Sequence, residues 1–172
     1  EPGKANLLKA YELDPNDPDA LEALIGLYDR EKRFPALAEV LERRLAMSTD
    51  AEALPIYERL GALWGERIGS NARAIEIWRK VLALRPGHSK AMRVLRDLYA
   101  ASGSWAELEA LFAEQGSWPD FIETLHAAAD KTEDPAERVA LYFKVADTWS
   151  ERLGKPDRAV KAFERVLAVE PD

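Results

Sequence analysis

The side chains that most often carry catalysis or bind metals are scarce in this sequence. The chain of 172 residues has no cysteine and only two histidines, His88 and His126. The lack of cysteine excludes a disulfide, a thiol nucleophile and a thiolate metal site. Neither histidine has a second histidine or a pair of carboxylates at metal-ligand spacing. We therefore expect His88 to lie in a solvent-exposed turn and His126 on a helix surface.

Motifs for phosphate binding and nucleophilic catalysis are also missing. The nine glycines are dispersed rather than gathered in a phosphate-binding loop, and no Gly-x-Ser-x-Gly surrounds a nucleophile. The many Asp and Glu residues alternate with apolar positions, as on the solvated face of a helix. Five tryptophans could form a stacking platform, but their helical spacing favours packing. The sequence predicts a protein that is not an enzyme and has no metal and no cofactor.

Charge and hydropathy argue against two classes of partner. The formal net charge of -7 repels a phosphate backbone, so no nucleic-acid partner is expected. No apolar run approaches the roughly 18 residues that a membrane helix needs, so no membrane insertion is expected. The sequence leaves localisation and oligomeric state open, although a cytoplasmic location is favoured for this segment.

The elements that would position any site all have the pattern of helices. Apolar residues recur in steps of three, four and one, which makes a stripe on a helix and not the alternation of a strand. Gly and Pro mark the breaks. Thr49 with Glu52, and Asp134 with Glu137, resemble capping boxes at the starts of the two longest helices. The pattern predicts no strand and about ten helices, near residues 4–13, 18–31, 34–47, 50–68, 71–84, 88–102, 104–115, 118–131, 135–153 and 156–169.

The sequence also repeats itself at a distance of 85 residues. The stretch ERIGSNARAIEIWRKVLALRP, which begins at Glu66, returns as ERLGKPDRAVKAFERVLAVEP from Glu151, with nine of 21 positions identical. The alignment extends back to Tyr57 and Tyr142 without a gap and then has 11 identities in 30 positions. Such self-similarity indicates a repeat architecture.

The repeated pattern resembles a known family. The first copy has the pattern Tyr57-x2-Leu60-Gly61-x2-Trp64-x4-Gly69-x4-Ala74-x3-Trp78-x2-Val81-x4-Pro86, and the second copy has matching residue classes from Tyr142 to Pro171. This resembles the tetratricopeptide repeat (TPR), and partial copies extend the resemblance over essentially the whole chain. The resemblance implies an all-α, right-handed superhelical stack of antiparallel helix hairpins, a TPR-like α-solenoid with a concave groove. We read residues 1–172 as a single repeat domain and as a fragment of a longer protein.

Two departures from the family pattern lead to further expectations. Four residues rather than three separate Trp64 from Gly69, so the first helix of the hairpin should run slightly long. The second cycle of the repeat is also 14 residues longer than the first, because Pro15 to Pro86 spans 71 residues and Pro86 to Pro171 spans 85. Aligning RFPALAEVL with SWPDFIETL assigns the excess to SWAELEALFAEQG. We expect an inserted short helix at 104–115 and a break or bend of the groove near Gly116.

The resemblance also implies which large side chains form the core. A small residue at Gly61 lets paired helices approach closely, and aromatic rings fill the space beside that contact. We expect Trp64, Trp78, Trp149 and Phe163 to be mostly buried.

The function implied by the resemblance is a non-catalytic protein–protein interaction scaffold that binds a partner peptide or helix in its groove. The acid-rich composition of that groove favours a basic segment over an acidic C-terminal peptide. Two alternatives stay open: a regulatory or sensor arm of a larger enzyme or signalling protein, and a half-a-TPR-type scaffold of an RNA-processing complex. The groove residues that the family pattern implies, on the first helix of each hairpin, are Asp19, Glu22, Asp29, Arg30, Glu58, Ala62, Glu66, Lys90, Arg93, Asp97, Phe143, Asp147 and Glu151.

Overall fold

The computed structural model describes residues 2–115 and 117–169. Within these ranges the chain forms ten α-helices and two π-helical turns, and no strand, as the periodicity predicted. The predicted bend near Gly116 lies outside the described residues. The elements are α1 (Pro2–Leu13), α2 (Pro18–Arg30), α3 (Phe34–Ala46), α4 (Asp50–Ala62), a first π turn (Leu63–Ile68), α5 (Asn71–Leu84), α6 (Ser89–Ala101), α7 (Trp105–Gln115), α8 (Trp118–Lys131), α9 (Pro135–Asp147), a second π turn (Thr148–Arg152) and α10 (Pro156–Val169).

One of the two predicted capping boxes is formed. Thr49 Oγ1 accepts a hydrogen bond from the Glu52 N–H at 3.4 Å, and Glu52 Oε2 accepts one from the Thr49 N–H at 3.2 Å. Asp134 caps α9 by accepting a backbone N–H at 3.0 Å. Its predicted box is wrong, because Glu137 instead accepts a 2.6 Å hydrogen bond from Thr132 Oγ1, whose oxygen takes the Asp134 N–H.

The two longest helices end in π turns at matching positions of the repeat. Together with those turns, α4 and α9 extend over residues 50–68 and 135–152, close to the predicted bounds. Each π turn closes with the same backbone bond: the Ser70 N–H donates to the Trp64 carbonyl at 2.7 Å, and the Lys155 N–H donates to the Trp149 carbonyl at 2.8 Å. A π turn holds one residue more than an α turn. The extra residue between Trp64 and Gly69 is thus absorbed within the helix.

The chain divides into two compact units, one up to Leu95 and one from Arg96 onward, with the boundary inside α6. In the first unit each helix packs on the next, from α1 to α5, and in the second unit the same holds from α7 to α10. The first π turn also packs on α3, and the second on α8. The helices α3–α5 and α8–α10 therefore have equivalent neighbours, as the internal repeat leads one to expect.

The core of each unit is aliphatic and aromatic. Trp78 is 1% exposed, as expected, and Trp64 and Trp149 are partly buried. The expectation for Phe163 is wrong, because this ring is 39% exposed. Among the described contacts of the second unit, α10 packs on α9 and the second π turn, which leaves its outer face uncovered. The buried core residues include Leu21, Leu24, Leu37, Leu41 and Leu60 in the first unit, and Leu108, Leu111, Phe121, Leu125 and Val145 in the second.

Candidate functional site

A cleft of about 820 Å³ opens in the second unit. It lies among the C-terminal half of α6, the first residue of α7, one face of α8 and the beginning of α9. Its size falls in the range of ordinary ligand sites. The lining residues are Arg96, Asp97, Ala100, Ala101, Trp105, Asp120, Glu123, Thr124, Ala127, Ala128, Lys131, Thr132 and Glu137.

The helical period of α8 creates one wall of this cleft. Its six lining residues occupy positions 120, 123, 124, 127, 128 and 131, a single stripe with steps of three, one and four. The opposite stripe of α8, with Phe121, Ile122 and Leu125, is buried in the core. Burial of that apolar stripe fixes the rotation of the helix and turns the alanine and acidic stripe towards the cleft.

Small side chains and acids dominate the cleft. Four alanines and two threonines leave space close to the helix backbones, and Trp105 provides a partly buried ring. Four carboxylates outnumber the two cations, Arg96 and Lys131. Arg96 Nε donates to Asp97 at 3.1 Å. Within the described part of the chain, Asp120 and Glu123 form no ion pair, so two exposed carboxylates remain available to a basic ligand.

The thirteen groove residues implied by the family pattern lie mostly at the surface, and one of them, Asp97, lines the cleft. Glu58 and Ala62 are partly buried, and the others are exposed. The acids at 120 and 123 were missed because the pattern considers only the first helix of each hairpin, whereas α8 carries them. The stripe of acidic and small residues along α8 was a readable signal in the sequence.

Several of the implied acids in the first unit are already paired. Glu22 accepts from Arg44 Nε at 2.9 Å, and Asp29 lies 3.6 Å from Arg59. Such surface pairs contribute little to stability. They do occupy the carboxylates, and this makes the first unit a weaker candidate for a basic ligand than the cleft.

His88 is bonded on both sides of its ring, so the expectation of a solvent-exposed turn residue is wrong. Its side chain is 12% exposed, and its Nε2 lies 2.9 Å from Glu58 Oε1. Its Nδ1 accepts the Ala91 N–H at 3.2 Å, which assigns the ring proton to Nε2. Both nitrogens thus have structural partners, at the start of α6 and on α4, and this histidine is not poised for proton transfer.

His126 is the other titratable ring, on the partly buried side of α8. Burial lowers its pKa, Arg165 lowers the pKa further, and Asp130 opposes the shift. Its ring lies 6.0 Å from that of Tyr142, whose hydroxyl donates to Asp130 at 3.2 Å. Among the residues that the structure describes, no cluster of three or more His, Asp or Glu side chains is arranged to hold a metal ion.

Comparison with known proteins leaves this geometry to be interpreted from the chain itself. No family model matches the chain, and no curated protein matches it. Over the described helices, none combines the length and the apolar character needed to cross a membrane.

Proposed function

We propose that this chain is a non-catalytic protein-interaction scaffold that holds a basic segment of a partner protein in the cleft of the second unit. The cleft carries the proposal: about 820 Å³ with alanine and threonine along its walls and four carboxylates beside them. Small residues allow a bound backbone to come close to the helices, and the acids provide partners for Lys or Arg.

The frame of this scaffold is a TPR-like right-handed stack of helix hairpins. Packing of each helix on the next within each unit supports it, as does the equivalence of α3–α5 and α8–α10. The close approach of Gly61 to Trp78 is what the repeat pattern requires of its small and aromatic positions.

Electrostatics favours a basic partner. Asp120 and Glu123 stand one helical turn apart on the exposed wall of α8. The attraction between exposed charges falls off over about 8 Å at physiological salt, so it should assist binding most at low ionic strength.

The experiment is a titration of the purified protein with a fluorescent Lys/Arg-rich peptide and with an acidic peptide of equal length. The basic peptide should bind in preference, and Asp120→Lys with Glu123→Lys should weaken its binding by at least about fivefold.

A matched control variant exists in the repeat. Glu39 on α3 aligns with Glu123 and is exposed, so Glu39→Lys makes the same change of charge at an equivalent place outside the cleft. It should leave the affinity near that of the unmodified protein. Equal binding of both peptides, or equal losses in Glu39→Lys and Glu123→Lys, would contradict the proposal.

A further inference from the structure

An apolar patch is exposed on α9 and α10, separate from the cleft. It consists of Phe143, Val160, Phe163 and Leu167, which are 45%, 54%, 39% and 62% exposed. The three α10 residues are spaced three and four apart and form one stripe. The rings of Phe143 and Phe163 meet edge to face, with centroids 5.6 Å apart. Because large apolar side chains usually avoid water together, this patch indicates a missing partner.

The same face exists in the first copy of the repeat, where it is covered. A shift of 85 residues places Ile75, Trp78 and Leu82 on α5 at the positions of Val160, Phe163 and Leu167. There Trp78 is 1% exposed and Leu82 is 6% exposed.

The start of α6 covers that face. His88 lies with its ring centroid 6.4 Å from that of Trp78, and the Lys90 Nζ lies 5.6 Å from the same ring. Ala91 and Leu95, further along the same side of α6, have no exposed surface. The first unit therefore shows what fits such a face: a helix with side chains at 88, 91 and 95 turned inwards.

One replacement changes the chemistry of the face. Glu58, which pairs with His88 in the first copy, corresponds to Phe143 in the second. A ring in place of the carboxylate cannot accept the imidazole N–H, but it extends the apolar surface. The side chain that docks at this point should then be apolar rather than histidine.

The outer border of the patch is acidic. Asp157 and Glu164 precede and follow Val160 by three and four residues, so they flank the stripe on its exposed side. Ala72 and Arg79 stand at these positions in the first copy. A helix docked here would meet carboxylates along one edge and would gain from Lys or Arg there.

We propose that the patch formed by Phe143, Val160, Phe163 and Leu167 docks an amphipathic helix of a partner protein in the way that α6 docks on α5. That helix has an apolar side chain where α6 has His88, a small one three residues later, an apolar one four residues after that, and basic residues on one flank. This surface is independent of the cleft, and a different part of a partner would occupy it.

The test uses α6 itself as the probe. A synthetic peptide with the sequence of residues 86–101 is compared with the same peptide carrying His88→Leu, by titration into the protein labelled for NMR. The leucine peptide should bind about tenfold more tightly than the histidine peptide, with shift changes at Phe143, Val160, Phe163 and Leu167.

A reversal experiment makes the inference specific. In the variant Phe143→Glu the carboxylate of the first copy is restored, and the preference should switch to the histidine peptide. Phe163→Ser should abolish binding of the leucine peptide, whereas Asp120→Lys with Glu123→Lys should leave it unchanged, which separates this site from the cleft. Equal binding of the two peptides by both proteins, shift changes away from α9 and α10, or self-association of the free protein through this patch would overturn the proposal.

Discussion

At the scale of single residues, the contact between Gly61 and Trp78 sets how closely α4 and α5 approach. A Cβ atom at Gly61 would lie 2.6 Å from Cε2 of Trp78. The second copy has Ala146 and Phe163 at these positions, a larger residue opposite a smaller ring. The pair thus changes together so that the helices can still pack.

The substitution Gly61→Ala should lower the free energy of unfolding by about 1 to 3 kcal/mol, because the tryptophan ring must move to make room. Gly26→Ala is the control, since a Cβ atom there would meet only Arg30 Nη1, at 3.9 Å. It should raise the stability by about 0.5 to 1 kcal/mol through helix propensity. Urea unfolding measures both, and a change of the same sign in the two variants would contradict the close contact.

Trp78 and Phe163 occupy equivalent positions but should differ in energy. Trp78→Ala leaves a cavity in a closed core and should cost about 3 to 5 kcal/mol. Phe163→Ala removes a ring that is 39% exposed and should cost about 1 kcal/mol or less. Losses of similar size in guanidinium unfolding would show that Phe163 is covered in solution.

His126 should make stability depend on pH. Its pKa is lowered in the folded state by burial and by Arg165, so the unfolded chain binds the proton more readily. The free energy of unfolding should therefore fall as pH drops through about 6.5, the ordinary pKa of histidine, and level off below the folded pKa. His126→Gln should flatten this part of the curve in urea unfolding at a series of pH values. Identical curves for the two proteins between pH 7 and pH 5 would contradict this origin.

At the scale of elements, the start of α4 depends on a capping box that the sequence already predicted. Thr49→Ala removes the side-chain acceptor of the Glu52 N–H and should cost about 1 kcal/mol. Ser117 is a matched control, because it stands at the N-cap of α8 without a side-chain cap hydrogen bond. Ser117→Ala should be nearly neutral in thermal unfolding, and equal losses would show that the box contributes nothing.

The elements themselves were the most predictable part of the molecule. Helix number and approximate bounds follow from the 3.6-residue period, because burial of one stripe depends on local spacing. The extra residue after Trp64 was visible as a count. Its place in a π turn was not, since a loop or a helix could absorb it.

Burial and the site depend on longer-range contacts and were less predictable. Phe163 matches Trp78 in the repeat, yet exposure is decided by α6, which covers only the first of them. Likewise, the cleft joins α6 and α8, and family spacing on single hairpins does not bring the acids of α8 next to Asp97.

At the scale of the whole molecule, a net charge of -7 would attract basic ligands to many places, so binding alone does not identify a site. The cleft differs from the general surface in its concavity and its small side chains. A specific ligand should therefore keep part of its affinity at physiological salt, whereas attraction to the overall charge should be largely screened.

The most direct measurement is an NMR titration of the labelled protein with the basic peptide at physiological salt. The proposal predicts saturable shift changes confined to the cleft, at Ala100, Thr124, Ala127 and Ala128, and their loss in Asp120→Lys with Glu123→Lys. Changes spread over acidic surfaces of both units without saturation, and unaffected by that variant, would contradict the assignment of the cleft as the binding site.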